Sequence, residues 1–184
     1  MGSNYSRKIN LGDLCEGIRN LTAARGAGFC EAAAVSLDRQ GHTSGVVISV
    51  TGDFSEEIEV SYPVVTDKML KSWTDDREAA DDGASGIAIL MMRDLTNLTV
   101  VERSVTGTGF DYWLGPEDKE DDELIFQDKV RLEVSGINRG SMADVRRRVE
   151  QKLTQTGQSD DWGLDAYVVV VEFGKPCSQV MMKK

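Results

Sequence analysis

Three segments decide the fold of this chain: TVVERSV at residues 99–105, GTGFDYWLG at 107–115 and VRLEVSGI at 130–137. Each is rich in β-branched or aromatic residues and is predicted to be a strand. Asp111 lies in the second segment and Glu133 in the third. If these strands pair side by side, the two carboxylates converge, and oxygen ligands of this kind hold small divalent cations.

Helical patterns flank the three strands. Apolar residues at helical spacing predict one helix over residues 66–95 and another over 141–154. Beyond the second helix, the run AYVVVVEF at 166–173 predicts a strand, because valine favours extended backbone. Its unbroken valines indicate burial on both faces, as in the centre of a sheet.

Ahead of this region the pattern predicts helices over residues 11–21 and 29–40 and a β-hairpin with strands at 45–52 and 57–62. The first ten residues are predicted to be a flexible lead. The predicted fold class is therefore α/β (α+β), a single domain over 1–184 with a mixed central sheet flanked by helices. The N-terminal helices and the hairpin are expected to extend this sheet or to form an oligomer interface along an exposed hairpin edge.

Composition narrows the class of protein. The 184 residues carry a formal net charge of −10, which disfavours non-specific binding to duplex DNA because phosphates are repelled. The chain has no apolar run as long as a membrane helix and no signal-peptide core. Its three widely spaced cysteines match no disulfide framework or zinc knuckle, so a reduced, cytoplasmic protein without a membrane partner is expected. His42 is the only histidine, which excludes a histidine-rich metal site.

The predicted order helix–strand–strand–strand–helix–strand over residues 66–182 resembles the αβββαβ core of PD-(D/E)XK, or restriction-endonuclease-like, nucleases. The resemblance implies that Asp111 and Glu133 are catalytic residues that bind Mg²⁺. It places Ser135 where the family has its catalytic lysine. Lys129, Arg131 or a residue of another strand is then needed to substitute for that lysine.

The family resemblance also points to the helix before the first core strand. Many families of this fold contribute an acid from that helix, and Glu78 or Asp81 stands at the corresponding place. The segments 107–115, 131–137 and 166–173, together with Ala-Ile-Leu at 88–90, are further similar to an uncharacterised bacterial protein family.

Two functions follow as hypotheses. The first is a Mg²⁺-dependent nuclease, or a subunit of a nucleic-acid-processing or phage-defence system, with nucleic acid as the partner. The alternative is a catalytically inactive binding or assembly module that contacts a protein partner or a second copy of the chain. An inert reading of the acids also stays open, in which Asp111 is a solvated turn residue and Glu133 pairs with Arg131, Arg103 or Lys129 on a wet sheet face.

Overall fold

The computed structural model describes residues 7–120 and 123–184, and these residues contain eight strands and four α-helices. The strands are β1 (Arg7–Asn10), β2 (Val46–Gly52), β3 (Glu56–Ser61), β4 (Leu98–Arg103), β5 (Tyr112–Pro116), β6 (Val130–Ile137), β7 (Ala166–Glu172) and β8 (Cys177–Lys183). The helices are α1 (Ala23–Arg39), α2 (Asp67–Ser72), α3 (Asp76–Thr96) and α4 (Met142–Thr156). All eight strands join one mixed sheet in the order β1-β3-β2-β8-β7-β6-β5-β4.

The C-terminal part of the sheet begins with an antiparallel meander. β4 pairs with β5 and β5 with β6, after which α4 crosses the sheet and β7 returns parallel to β6. The mixed α/β sheet flanked by helices is thereby confirmed. β7 lies inside the sheet between β6 and β8, and all four of its valines are buried, as their unbroken run predicts.

The N-terminal strands extend the same sheet. β2 and β3 form the predicted antiparallel hairpin, and β2 also pairs in parallel with β8. The predicted free edge on β2 is therefore wrong, because β3 and β8 occupy both of its sides. β8 was not expected from the sequence, since it holds only one β-branched residue, Val180, among polar residues and methionines.

The predicted flexible lead is partly wrong. Residues 7–10 form β1, which pairs in parallel with β3 and buries Ile9 against the core. Residues 1–6 of that lead lie outside the described residues. The predicted helix over 11–21 is instead a short 3-10 turn, Leu11–Glu16, which ends at Gly17 because that residue has a φ of 83°.

The predicted helix over 66–95 is two helices. Asp75 separates them, and its side chain accepts hydrogen bonds from the backbone N–H groups of Arg77 and Glu78 at the start of α3. This is the bonding of an N-cap, which satisfies donors that the first helical turn leaves free. No helix in the described ranges combines the length and apolarity needed to cross a membrane.

Helices cover both faces of the sheet. α1 and α3 lie on one face, over a core that includes Leu132, Val134 and Val169, and α4 lies on the other, over Val168 and Val170. Glycines bring some of these layers unusually close. A Cβ added at Gly83 of α3 would lie 2.8 Å from the Ala33 Cα of α1, so the two helices touch through their backbones.

A second glycine contact fixes α3 on the sheet. A Cβ added at Gly136 of β6 would overlap the backbone carbonyl of Ala80 in α3. The helix therefore rests directly on the strand, with no side chain between them. This contact places the first turns of α3 beside the end of β6, where the candidate site lies.

Candidate functional site

Asp111 and Glu133 lie beside each other where the pairing of β5 with β6 ends. Tyr112, opposite Leu132, is the last residue of β5 that pairs with β6, and the backbone N–H of Asp111, the residue before it, donates to the Leu132 carbonyl at 2.9 Å. Glu133 projects to the α4 side, where it accepts a hydrogen bond from Lys152, and Asp111 is close enough to raise the pKa of Glu133.

Backbone N–H groups at the end of β6, beyond its pairing with β5, form hydrogen bonds with Asp111 and with Asp81 of α3. β5 stops pairing at Tyr112, and beyond it the Val134 N–H donates to Asp111 Oδ2 at 2.8 Å and the Gly136 N–H to Asp81 Oδ1 at 3.0 Å. The two carboxylates thus replace the missing strand as hydrogen-bond acceptors, which buried backbone donors require. Each anchored carboxylate keeps its other oxygen for further contacts.

Glu133 is the most strongly perturbed acid of the site. Only 1% of it is exposed, and its Oε1 accepts hydrogen bonds from Lys152 Nζ at 2.5 Å and Gln155 Nε2 at 3.1 Å. Its Oε2 is buried without a hydrogen-bond partner among the described residues. Burial and the neighbouring Asp111 raise the pKa of Glu133 to about 7, against the opposing effect of Lys152.

A cavity of about 230 Å³ opens between α1, α3, α4 and the end of β6. Five cationic side chains and three carboxylates line it: Arg25, Arg77, Arg103, Arg148, Lys152, Asp81, Asp82 and Asp111. Burial raises the pKa of Asp82. A chain with a net charge of −10 thus has a locally basic cavity, and such a cavity favours an anionic ligand.

The structure brings together most, but not all, of the predicted site residues. Asp111, Ser135 and Asp81 line the cavity, and Glu133 lies immediately behind its wall, bonded to Lys152. Glu78 does not line the cavity; it is exposed in the first turn of α3. Of the two predicted helix acids, Asp81 is therefore the one placed at the site.

Ser135 is placed by an interaction that the sequence did not suggest. It is buried at the cavity wall, and its hydroxyl accepts a hydrogen bond from Arg148 of α4 at 2.8 Å. The serine therefore holds the Arg148 side chain in place. The cation that contacts Glu133 is Lys152, four residues further along the same helix.

The suggested substitutes for the family's lysine lie elsewhere. Arg131 is fully buried. It donates hydrogen bonds to Thr156, the last residue of α4, and to Ser159, Asp160 and Leu164 in the segment that follows. Lys129 lies over the Trp113 ring. The inert reading in which Glu133 pairs with one of these on a wet sheet face is wrong, because Glu133 is buried and pairs with Lys152.

Sequence reasoning missed Lys152, although a signal for it exists. Val145 and Val149 form the buried stripe of α4, and Arg148 and Lys152 follow at the same four-residue spacing on its flank. Residues four apart lie on one side of a helix. A helix that connects two parallel strands lies over the sheet, so its flanking cations reach the strand side chains beneath.

The residues present fit a divalent cation in part. Asp111 and the donor-free Oε2 of Glu133 offer hard oxygen ligands. Within residues 7–120 and 123–184, no group of three or more His, Cys, Asp or Glu side chains is arranged to hold a metal. A bound ion would complete its shell with water and substrate oxygens, as Mg²⁺ commonly does.

Comparisons with known proteins supply no family for the chain. No protein-family model, no curated protein and no solved structure matches it.

Proposed function

We propose that this protein is a Mg²⁺-dependent phosphodiester hydrolase of the PD-(D/E)XK type that acts on nucleic acid. The observation that carries the proposal is the proximity of Asp111, just before β5, to Glu133 of β6, with Lys152 bonded to Glu133 at the wall of a basic cavity. The order α3-β4-β5-β6-α4-β7, with three antiparallel strands and a parallel fourth, supports it as well.

The divalent ion would be held by Asp111 and Glu133. When bound, it lowers the pKa of a coordinated water and balances charge on the phosphoryl group. Asp111 is oriented for this role by the Val134 N–H, which occupies only its Oδ2. Burial of Glu133 and the charge of the neighbouring Asp111 both raise the pKa of Glu133, and a divalent cation bound by the two carboxylates would oppose both effects.

The remaining cavity residues would bind the substrate and position the attacking water. Arg25, Arg77, Arg103 and Arg148 face one cavity, and guanidinium groups bind phosphate oxygens through paired hydrogen bonds. In the family, a lysine at the position of Ser135 supplies the cation next to the metal-binding acid. Here Lys152 of α4 supplies that cation, next to Glu133. This substitution preserves the charge of the motif while changing the element that delivers it.

The test is hydrolysis of labelled single-stranded and duplex DNA and RNA with Mg²⁺, Mn²⁺, Ca²⁺ or EDTA, alongside thermal melts in the same buffers. We expect cleavage with Mg²⁺ or Mn²⁺, none with EDTA, and a higher Tm with the cations, because a ligand that binds the native state stabilises it. An absence of cleavage with every cation and substrate, together with an unchanged Tm, would reject the proposal.

Lys152 gives a separate prediction. Lys152→Met should lower the hydrolysis rate about 100-fold, a typical contribution of a positioned proton-transfer group. It should also raise the pKa of Glu133 further, because the Lys152 hydrogen bond and charge now hold it down. Steady-state rates and a ¹³C NMR titration of the glutamate carboxyls would measure both effects. Lys68→Met, at an exposed position of α2, is the matched control; equal rates in both variants would contradict the role.

A catalytically inactive assembly module remains the second candidate, and one observation favours it. Glu133 is 1% exposed, does not line the cavity, and is already paired with Lys152, as expected of a structural ion pair. This function predicts no cation-dependent shift in Tm and an oligomer or a stable protein complex by light scattering. A monomer with a cation-dependent Tm would exclude it.

A further inference from the structure

Four aromatic rings form a cluster beside the candidate site. Trp113 and Trp162 are stacked with centroids 5.4 Å apart, and Phe110 and Phe126 meet Trp113 edge-on at 4.7 and 5.9 Å. The inner ring, Phe110, is buried, whereas Trp162 and Phe126 are 42% and 47% exposed. Large rings exposed to this extent and supported from behind form a rigid apolar surface, of the kind that marks binding sites.

The cluster lies one side chain away from the carboxylates. Trp113 follows Asp111 by two residues, and it pairs with Arg131, which precedes Glu133 by two. Alternate residues of a strand project to the same face, about 7 Å apart. Trp113, Arg131 and Glu133 therefore share one face of the sheet, and Phe110 of the cluster adjoins Asp111 in the chain.

The positive charge that would attract a polyanion lies in the basic cavity next to the cluster. At the cluster itself the charges are paired: Lys129 Nζ lies 5.8 Å from the centroid of Trp113 but 3.9 Å from Glu102 Oε2, and Asp160 is paired with both Arg131 and Lys183. The basic cavity lies beyond Asp111. With a net charge of −10 over the chain, attraction is confined to this region, so affinity must come from contacts other than a long track of phosphates.

We propose that Trp162 and Phe126 stack on the bases of single-stranded nucleic acid whose phosphate enters the basic cavity; this rests on the proposed function. Unpaired bases expose their faces, and aromatic side chains stack on them in single-strand binding proteins. In a duplex the same faces are hidden between base pairs. The arrangement therefore favours single strands over duplexes.

The test measures binding in EDTA, so that it does not depend on cleavage. We expect fluorescein-labelled decathymidylate to bind the wild-type protein, a blunt duplex to bind more weakly, and Trp162→Ala and Phe126→Ala each to weaken binding of decathymidylate about 10-fold. Trp162→Phe should retain most of the affinity, because phenylalanine keeps a stacking face. An oligomer with abasic sites at every position should bind all these proteins with equal, low affinity. Ile125→Ala is the matched control, since Ile125 is 59% exposed beside Phe126.

Several outcomes would overturn the inference. Unchanged affinity for decathymidylate in both aromatic variants would do so, as would equal or tighter binding of the duplex. Loss of an oligomeric state in Trp162→Ala, with oligonucleotide binding unchanged, would make the cluster a protein interface. Circular dichroism melts identify a variant that fails to fold, in which case the other aromatic variant decides. Ring-dependent binding without cleavage under any cation would reject the proposed hydrolysis alone.

Discussion

Asp111→Asn will lower Mg²⁺-dependent hydrolysis about 1,000-fold while leaving the metal-free protein as stable as the wild type, or more so. The loss follows from the charge. A metal ion contributes several kcal/mol to phosphoryl transfer, and about 4 kcal/mol corresponds to about 1,000-fold in rate. A neutral amide binds Mg²⁺ far less well than a carboxylate, so this contribution is largely lost.

The metal-free Asp111→Asn protein is expected to be at least as stable as the wild type, because of the contacts that Asp111 makes. The asparagine oxygen can still accept the hydrogen bond from the Val134 N–H, which Asp111 Oδ2 now accepts at 2.8 Å. The substitution also removes the negative charge that raises the pKa of Glu133. We therefore expect an equal or higher Tm in EDTA and a smaller rise in Tm on addition of Mg²⁺.

Rates and melts of Asp118→Asn provide the comparison, because Asp118 is an exposed acid outside the cavity. If Asp111→Asn cleaved within tenfold of the wild type, Asp111 would not be a metal ligand. If it instead unfolded in EDTA while Asp118→Asn did not, Asp111 would have a structural role that its hydrogen bonds do not account for.

Gly136→Ala will destabilise the protein by about 3 kcal/mol, at the upper end of the range for overpacking a core. The added Cβ would overlap the Ala80 carbonyl and would lie 2.9 Å from the Asp81 backbone nitrogen. Both obstacles are backbone atoms, which no rotamer change moves. The first turns of α3 must shift, which would weaken the bond from the Gly136 N–H to Asp81 Oδ1. Chemical denaturation measures the loss.

Gly28→Ala tests the same substitution where space is available. Gly28 lies within α1, and a Cβ added there meets nothing within 4 Å. Alanine in a helix is favoured over glycine by about 1 kcal/mol, so this variant should be slightly more stable than the wild type. A Gly136→Ala variant as stable as Gly28→Ala would show that α3 does not rest on β6 as described.

The sequence was sufficient for elements whose pattern is local. Runs of β-branched residues bounded by glycine or polar residues predict the hairpin, the meander and the buried valine strand. β8 has no such pattern, and its position between β2 and β7 depends on pairing with distant segments. The break between α2 and α3 depends on one capping side chain, Asp75, within a stretch that is helical on both sides.

Some residues of the candidate site could likewise be predicted from the sequence, and others could not. Asp111 and Glu133 were predicted as neighbours because each belongs to one of two consecutive predicted strands, and the pairing of β5 with β6 brings them together. The partner of Glu133 could not be found in this way, since Lys152 is 19 residues away on another element. Likewise, Asp81 and Glu78 are one helical turn apart, and only the docking of α3 on Gly136 decides which of them reaches the cavity.

The position of β8 has a consequence for how the domain assembles. The three strands at residues 7–61 and the four at 98–172 share no direct strand pairing, and β8 is the connection between them within the described residues. Its pairing with β2 joins Ser49 to Cys177, which closes a loop of more than a hundred residues. Contacts so distant in sequence carry a large entropic cost and form slowly. The merger of the two half-sheets should therefore be the late, rate-limiting event in folding.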